Sequence, residues 1–183
     1  YRGSIVNGTI DLNGHNAYLQ NGTFTMNLTG GGGSRLWIGG DAGATVNLGG
    51  INASTFSDTN STIIGHPTTG AAGNVVLQSA TALGPSSQNA QVFTGTLDLN
   101  GQTGVGIGGL LMAGASASKL VNGNTSAAAT FAGTINLNNN GSPEIGGAGD
   151  LTHGGAVSNG AVGETGAGAV TRAGGNTAAG DGG

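Results

Sequence analysis

The sequence predicts an all-β chain wound as a β-solenoid. Three observations carry that reading: strict alternation within a short strand phrase, recurrence of the phrase, and turn residues on either side of each copy. In Gly95-Thr96-Leu97-Asp98-Leu99-Asn100-Gly101, Leu97 and Leu99 share one face, while Thr96, Asp98 and Asn100 share the other. This is the period-2 signature of a half-buried strand. Gly133-Thr134-Ile135-Asn136-Leu137-Asn138 repeats the phrase with Ile for Leu, and Gly8-Thr9-Ile10-Asp11-Leu12-Asn13-Gly14 states it near the start. The flanking glycines and asparagines tolerate positive φ and so turn the chain. A strand–turn unit repeated along a chain means a solenoid or array.

Composition supports a packed core and narrows the partners. The 183 residues suffice for one domain, and 36% are hydrophobic. Only 7% are charged and 41 residues are glycine, so polar surface must come from Asn, Ser and Thr. Arg2, Arg35, Lys119 and Arg172 are the only strong bases, too few to neutralise a phosphate backbone, so no nucleic-acid partner is assigned. The carboxylates are spread without an acidic run, and the net charge of −4 implies no electrostatic targeting. The absence of cysteine excludes disulfide staples and thiolate metal sites. No apolar run reaches the roughly 18 residues of a transmembrane helix, and no charged-then-apolar leader opens the chain. Starting at Tyr1, it reads as a processed or excerpted segment.

In chain order, Gly8 to Asn13 and Gly22 to Leu28 are successive strand phrases, the second with Phe24, Met26 and Leu28 on one face. Turns fall at Asn13-Gly14 and Asn21-Gly22, because Asn-Gly is a strong turn dipeptide. After Gly30 to Gly33, Leu36-Trp37-Ile38 points Leu36 and Ile38 inward. That leaves the lone Trp37 outside or in a side groove, as an edge contact or an anchor for a sugar or protein partner. Ala44 to Gly49 is another strand, and residues 51–62 read as a weaker strand or surface excursion before Ile63-Ile64. Asn74 to Leu77 leads to Ala82-Leu83-Gly84-Pro85, where proline cannot continue a central ladder. Strand phrases then follow densely: Gly95 to Asn100, Val105 and Ile107, Leu110 to Met112, Leu120 to Asn122, Ala129 to Leu137, and Ile145.

If two coils fill the interval from Gly95 to Gly133, each is near the lower end of the ~20–45-residue solenoid repeats. With strands stacked ~4.8 Å apart, the chain makes roughly seven to nine rungs. The solenoid is placed at residues 1–152. Residues 153–183 are nearly devoid of large apolar side chains and read as a Gly/Ala-rich tail or linker, ordered if at all by a neighbouring subunit.

An ordered succession of motifs resembles the autotransporter-associated β-strand repeat of bacterial surface proteins. It comprises Ala82-Leu83-Gly84, the phrase from Gly95 to Gly101, Ile107-Gly108-Gly109, Leu120-Val121-Asn122, Ala129 to Ile135, and Ile145 to Thr152. The match is close over that stretch, looser from Gly8 to Leu48, and stops at Thr152. The resemblance implies a right-handed parallel β-helix (β-solenoid) within a large secreted or surface-displayed bacterial protein that serves as stalk, adhesin or fibre. It carries over no catalytic residues. Separately, a parallel solenoid exposes strand edges at its ends, so a segment without polar caps is expected to pair end to end with other copies of itself.

No catalytic, cofactor-binding or metal residue is assigned. Ser57, His66 and Asp58 assemble a triad on paper without a nucleophile elbow. His15, His66 and His153 stand apart from one another and read as solvated turn histidines. Asp11 and Asp98 occupy equivalent outward positions, but a polysaccharide-acting β-helix needs its acids gathered in a groove with bases. Gly146 to Leu151 resembles a calcium repeat with its Asp one place early. Asn13, Asn47, Asn100 and Asn138 fall near strand ends, as amide ladders or as turn residues. Glycosylation-type triplets start at Asn7, Asn21, Asn27, Asn52, Asn60, Asn124 and Asn140. Thr23 and Thr25 begin, but do not complete, the regular threonine array of an ice- or glycan-binding surface. The reading is therefore a non-enzymatic extracellular or cell-surface structural protein that stacks into a fibre or stalk. Surface glycans or a host or biofilm matrix are its other expected contacts.

Overall fold

Short alternating phrases between turn residues cannot make long strands, and the strands are two to five residues each. A computed structural model of the chain describes residues 2–5, 8–25, 27–29, 34–39, 45–49, 62–66, 71–84, 87–114, 117–138, 142–160 and 162–172. Two seven-stranded sheets run its length. The first contains β3 (Gly22–Phe24), β6 (Thr45–Leu48), β8 (Gly73–Leu77), β10 (Gly95–Asp98), β12 (Ser118–Asn122), β15 (Glu144–Gly147) and β18 (Gly163–Thr165). The second contains β2 (Ala17–Leu19), β5 (Leu36–Ile38), β7 (Thr62–Ile64), β9 (Asn89–Val92), β11 (Gly109–Met112), β14 (Thr134–Asn136) and β17 (Val157–Ser158). A third sheet joins β13 (Ala129–Phe131), β16 (Leu151–His153) and β19 (Val170–Arg172), and Val105 bridges onto Phe131. Near the start, β1 (Thr9–Asp11) pairs with β4 (Asn27–Thr29).

All the strand pairings are parallel. The chain passes from first sheet to third to second before returning one rung higher, as in β12, β13, β14 and β15. The molecule is thus a parallel β-solenoid: the alternation and its recurrence predict the solenoid, and the resemblance implies the parallel pairing.

Coil length varies: Thr9 lies beside Asn27, whereas Thr45 lies beside Asn74. The repeated phrase therefore does not mark one position per coil. Its copies fall on β1, β10 and β14, in three different sheets. Gly95 pairs with Ser118, and Gly109 with Thr134, so the interval from Gly95 to Gly133 is not two coils. The phrase encodes a strand followed by a corner, and every face of the coil needs one. The span from Gly22 to Leu28 is likewise two strands, β3 and β4, in different sheets. Strands also continue past Thr152. His153 completes β16, and β17, β18 and β19 follow, so Thr152 is not the end of the ladder. Such rungs need few large side chains, because the backbone of the preceding rung templates them.

Side chains of alternate residues stack inside in register. Val46, Val75, Leu97, Leu120 and Ile145 form one buried column in the first sheet. Ala17, Leu36, Thr62, Ala90, Leu110, Ile135 and Val157 form another in the second. Each fully buried aliphatic side chain is worth about 1.5–3 kcal/mol, and the columns make that stabilisation continuous along the axis.

Candidate functional site

The polar residues of the strand phrases build corners. Asn13, Asn100 and Asn138 have φ of 43°, 50° and 55°, the left-handed region that asparagine tolerates better than most residues. In each case the side chain two residues earlier accepts the corner's N–H: Asp11 Oδ1 from Asn13 at 3.0 Å, Asp98 Oδ1 from Asn100 at 2.8 Å, and Asn136 Oδ1 from Asn138 at 2.9 Å. This is an Asx turn, and it satisfies a donor that the ladder leaves behind at the corner. Asp98 Oδ1 also accepts the N–H of Gly123 at 2.8 Å on the following rung. Asp11 and Asp98 are thus turn-forming carboxylates in different sheets, not a pair gathered around a substrate.

The amides bridge rungs individually. Asn100 Nδ2 donates to the Leu77 carbonyl at 3.0 Å, and Asn159 Nδ2 to Asn136 Oδ1 at 3.0 Å. Asn47 Oδ1 accepts a long 3.4 Å bond from Gln78 Nε2, one rung on. The most connected amide among the described residues is Asn122, which the sequence places in a strand motif without giving it a role. It is fully buried. Its Oδ1 accepts from Gly101 at 2.9 Å and Asn124 at 3.2 Å, and its Nδ2 donates to Ala127 and Asp150 at 2.8 Å each. One side chain therefore ties together backbone from three rungs. Strand parity carried the signal, since Asn122 shares the inward face of Ser118 and Leu120.

The histidines occupy three different settings. His15 is exposed beside the Leu12 turn, as expected. His66 is half-buried and stacks on Trp37, with ring centroids 5.2 Å apart at 30°. Trp37 stacks in turn on Tyr18 at 6.0 Å and 16°. Trp37 is therefore not a lone aromatic: it is the middle of a three-ring stack along the axis, and its faces are occupied by its neighbours. Tyr18, at one end of the stack, is 50% exposed.

His153 is not a solvated turn residue. It is 1% exposed, on β16, in register between Phe131 and Arg172. It shares the inward parity of Leu151, which the alternation of Leu151-Thr152-His153 already contains. Neither ring nitrogen makes a hydrogen bond of good geometry, the Gly155 backbone being only a marginal partner. Burial lowers its pKa from the ordinary value and Arg172 acts in the same direction, while the Gly155 backbone and Glu164 oppose them.

Other candidates resolve into structure. Ser57 and Asp58 lie outside the described residues, as do Asn7, Asn52, Asn60 and Asn140. Asp150, the acid of the calcium-like motif, accepts the Ala169 N–H at 2.9 Å, one rung on. Among the described residues no three His, Asp or Glu side chains are grouped to hold a metal ion, and no helix is long and apolar enough to cross a membrane. On the first sheet's outer face Thr23 is followed in register by Asn47, Val76 and Asp98, which is not a threonine array. Gly109, between Asn89 and Thr134, leaves a shallow notch on the second sheet bordered by Leu111 and Asn136. Thr134 Oγ1 donates to Gly108 at 3.1 Å and Asn136 Oδ1 serves Asn138 and Asn159, so these polar atoms are engaged within the fold.

The last described rung differs from the others. Glu164 follows Ile145 in the first sheet's inward column, and Arg172 follows His153 in the third. Their side chains form an ion pair at 2.8 Å. At this rung the inward positions carry charge. No family model, curated protein or solved structure matches the chain.

Proposed function

We propose that the chain is an extracellular structural element, a β-solenoid that forms or lengthens a bacterial surface fibre, filament or adhesive stalk. The observation that carries this reading is the pair of seven-stranded parallel ladders, whose hydrogen bonds and buried columns all propagate along one axis. Such an array resists extension and can be continued by any further rung of matching register, from a second copy or an adjacent segment. The low charge, the turn-forming use of Asp11 and Asp98, and the resemblance to autotransporter-associated strand repeats support the same role.

Cryo-electron microscopy of the purified chain across a concentration series tests the proposal. Filaments with ~4.8 Å layers along the axis are expected. Discrete monomers at every concentration would count against assembly by stacking.

A further inference from the structure

The core columns end in charge. In the third sheet Val105 and Phe131 are followed by His153 and then Arg172, and in the first Ile145 is followed by Glu164. The Arg172–Glu164 pair thus closes the apolar interior at the last described rung, as inward-pointing charges blunt the ends of other sheets. Immediately beneath it lies His153, buried, with neither nitrogen in a hydrogen bond of good geometry. A buried polar group short of hydrogen bonds is destabilising, and a charged one more so.

We infer that this rung is an acid-sensitive cap: protonation of His153 releases β19 and β18 from the solenoid while the rungs below stay closed. The inference does not depend on the fibre role. The groups facing the imidazole are few. From β13, Ala129, Thr130 and Phe131 bring no charge. From β19 comes the Arg172 guanidinium, which repels an imidazolium, and from β18 comes Glu164, which already serves Arg172. Asp150, just before β16, has a carboxylate oxygen on the Ala169 N–H.

The sign follows from burial. The folded ring takes its proton at lower pH than an open chain, whose ordinary value is 6.5. Above that value both forms are neutral and the cap is at full stability. As pH falls below it, the open form binds a proton that the closed form does not, so closure weakens. Between pH 7.5 and 5.5 the opening equilibrium rises, by about tenfold at most, the limit in which the closed ring takes up no proton.

Amide hydrogen exchange on the full chain at the two pH values, corrected for intrinsic exchange, tests this. More opening, by at most about tenfold, is expected over residues 162–172 and none over residues 95–122. His153→Phe places in β16 the ring type that Phe131 already seats one rung earlier, and should abolish the response. Glu164→Gln breaks the ion pair and should keep it. An NMR titration of the His153 ring in the unmodified chain gives a check independent of any variant. The inference is overturned by a ring that titrates at or above 6.5, by no added opening at pH 5.5, or by a response that survives in His153→Phe.

Discussion

Asp98 shows how much one carboxylate does at a corner. Its Oδ1 serves two backbone donors on successive rungs, Asn100 and Gly123. Asn136 does the equivalent work for Asn138 with an amide oxygen. Asp98→Asn should therefore leave the denaturation midpoint nearly unchanged, whereas Asp98→Ala should cost about 1–3 kcal/mol by orphaning those donors. A larger loss for the Asn variant in urea titrations would mean that the charge itself is required. Asn122 is the more severe case: Asn122→Leu matches the apolar character of the inward face but strands the Gly101 and Asn124 N–H groups and the Ala127 carbonyl, while the Asp150 carbonyl keeps the Ala129 N–H. A loss of at least about 3 kcal/mol is expected in the same titration. Stability within about 1 kcal/mol of the parent would show that water or rearrangement replaces the amide.

Strands of this length survive only through their neighbours, so substitutions in them are felt along the axis. Leu97 lies between Val75 and Leu120 in a fully buried column. Leu97→Asp should prevent folding, because no cation lies in that column to pair the charge; a cooperative unfolding transition in the variant would refute this. Gly95 shows a second constraint on the element. With φ of 118°, a β-carbon there would run into the Gly73 carbonyl on the preceding rung, whereas at Gly104, φ 69°, it would meet open space. Gly95→Ala is expected to disrupt β10, while Gly104→Ala should cost only about 1–2 kcal/mol of left-handed strain. Equal melting temperatures for the two variants would exclude backbone approach as the reason for glycine at position 95. The turns at Asn13 and Asn100 are legible in the sequence alone, because Asn-Gly after an alternating strand is local chemistry. The face each strand occupies is not, because it depends on how many residues each corner consumes.

For the whole molecule, stability is axial and only weakly electrostatic. The Lys119–Glu144 pair, at 2.5 Å between adjacent rungs, has side chains 42% and 31% exposed, so solvent screening leaves it about 0–1 kcal/mol. With four strong bases and eight carboxylates in all, the melting temperature should stay within a few degrees between about 50 and 500 mM salt. A shift of about ten degrees or more in calorimetry would reveal an ionic contribution that these contacts do not contain. The C-terminal rungs have the thinnest core, since Val162 and Val170 are only partly buried, which is why acid sensitivity at His153 is expected to act locally.

The sequence by itself determined the all-β class, the repeated winding of short strands, the inward leucines and isoleucines, and the corner asparagines. Each of these follows from period-2 alternation and backbone preferences over one short strand phrase. Only the tertiary structure decided that three copies of one phrase lie on three different sheets, that Trp37 sits within a ring stack, that His153 is buried, and that Arg172 meets Glu164. Those facts depend on which residues share a column across coils of unequal length, and that register is set by packing between rungs rather than by any local pattern.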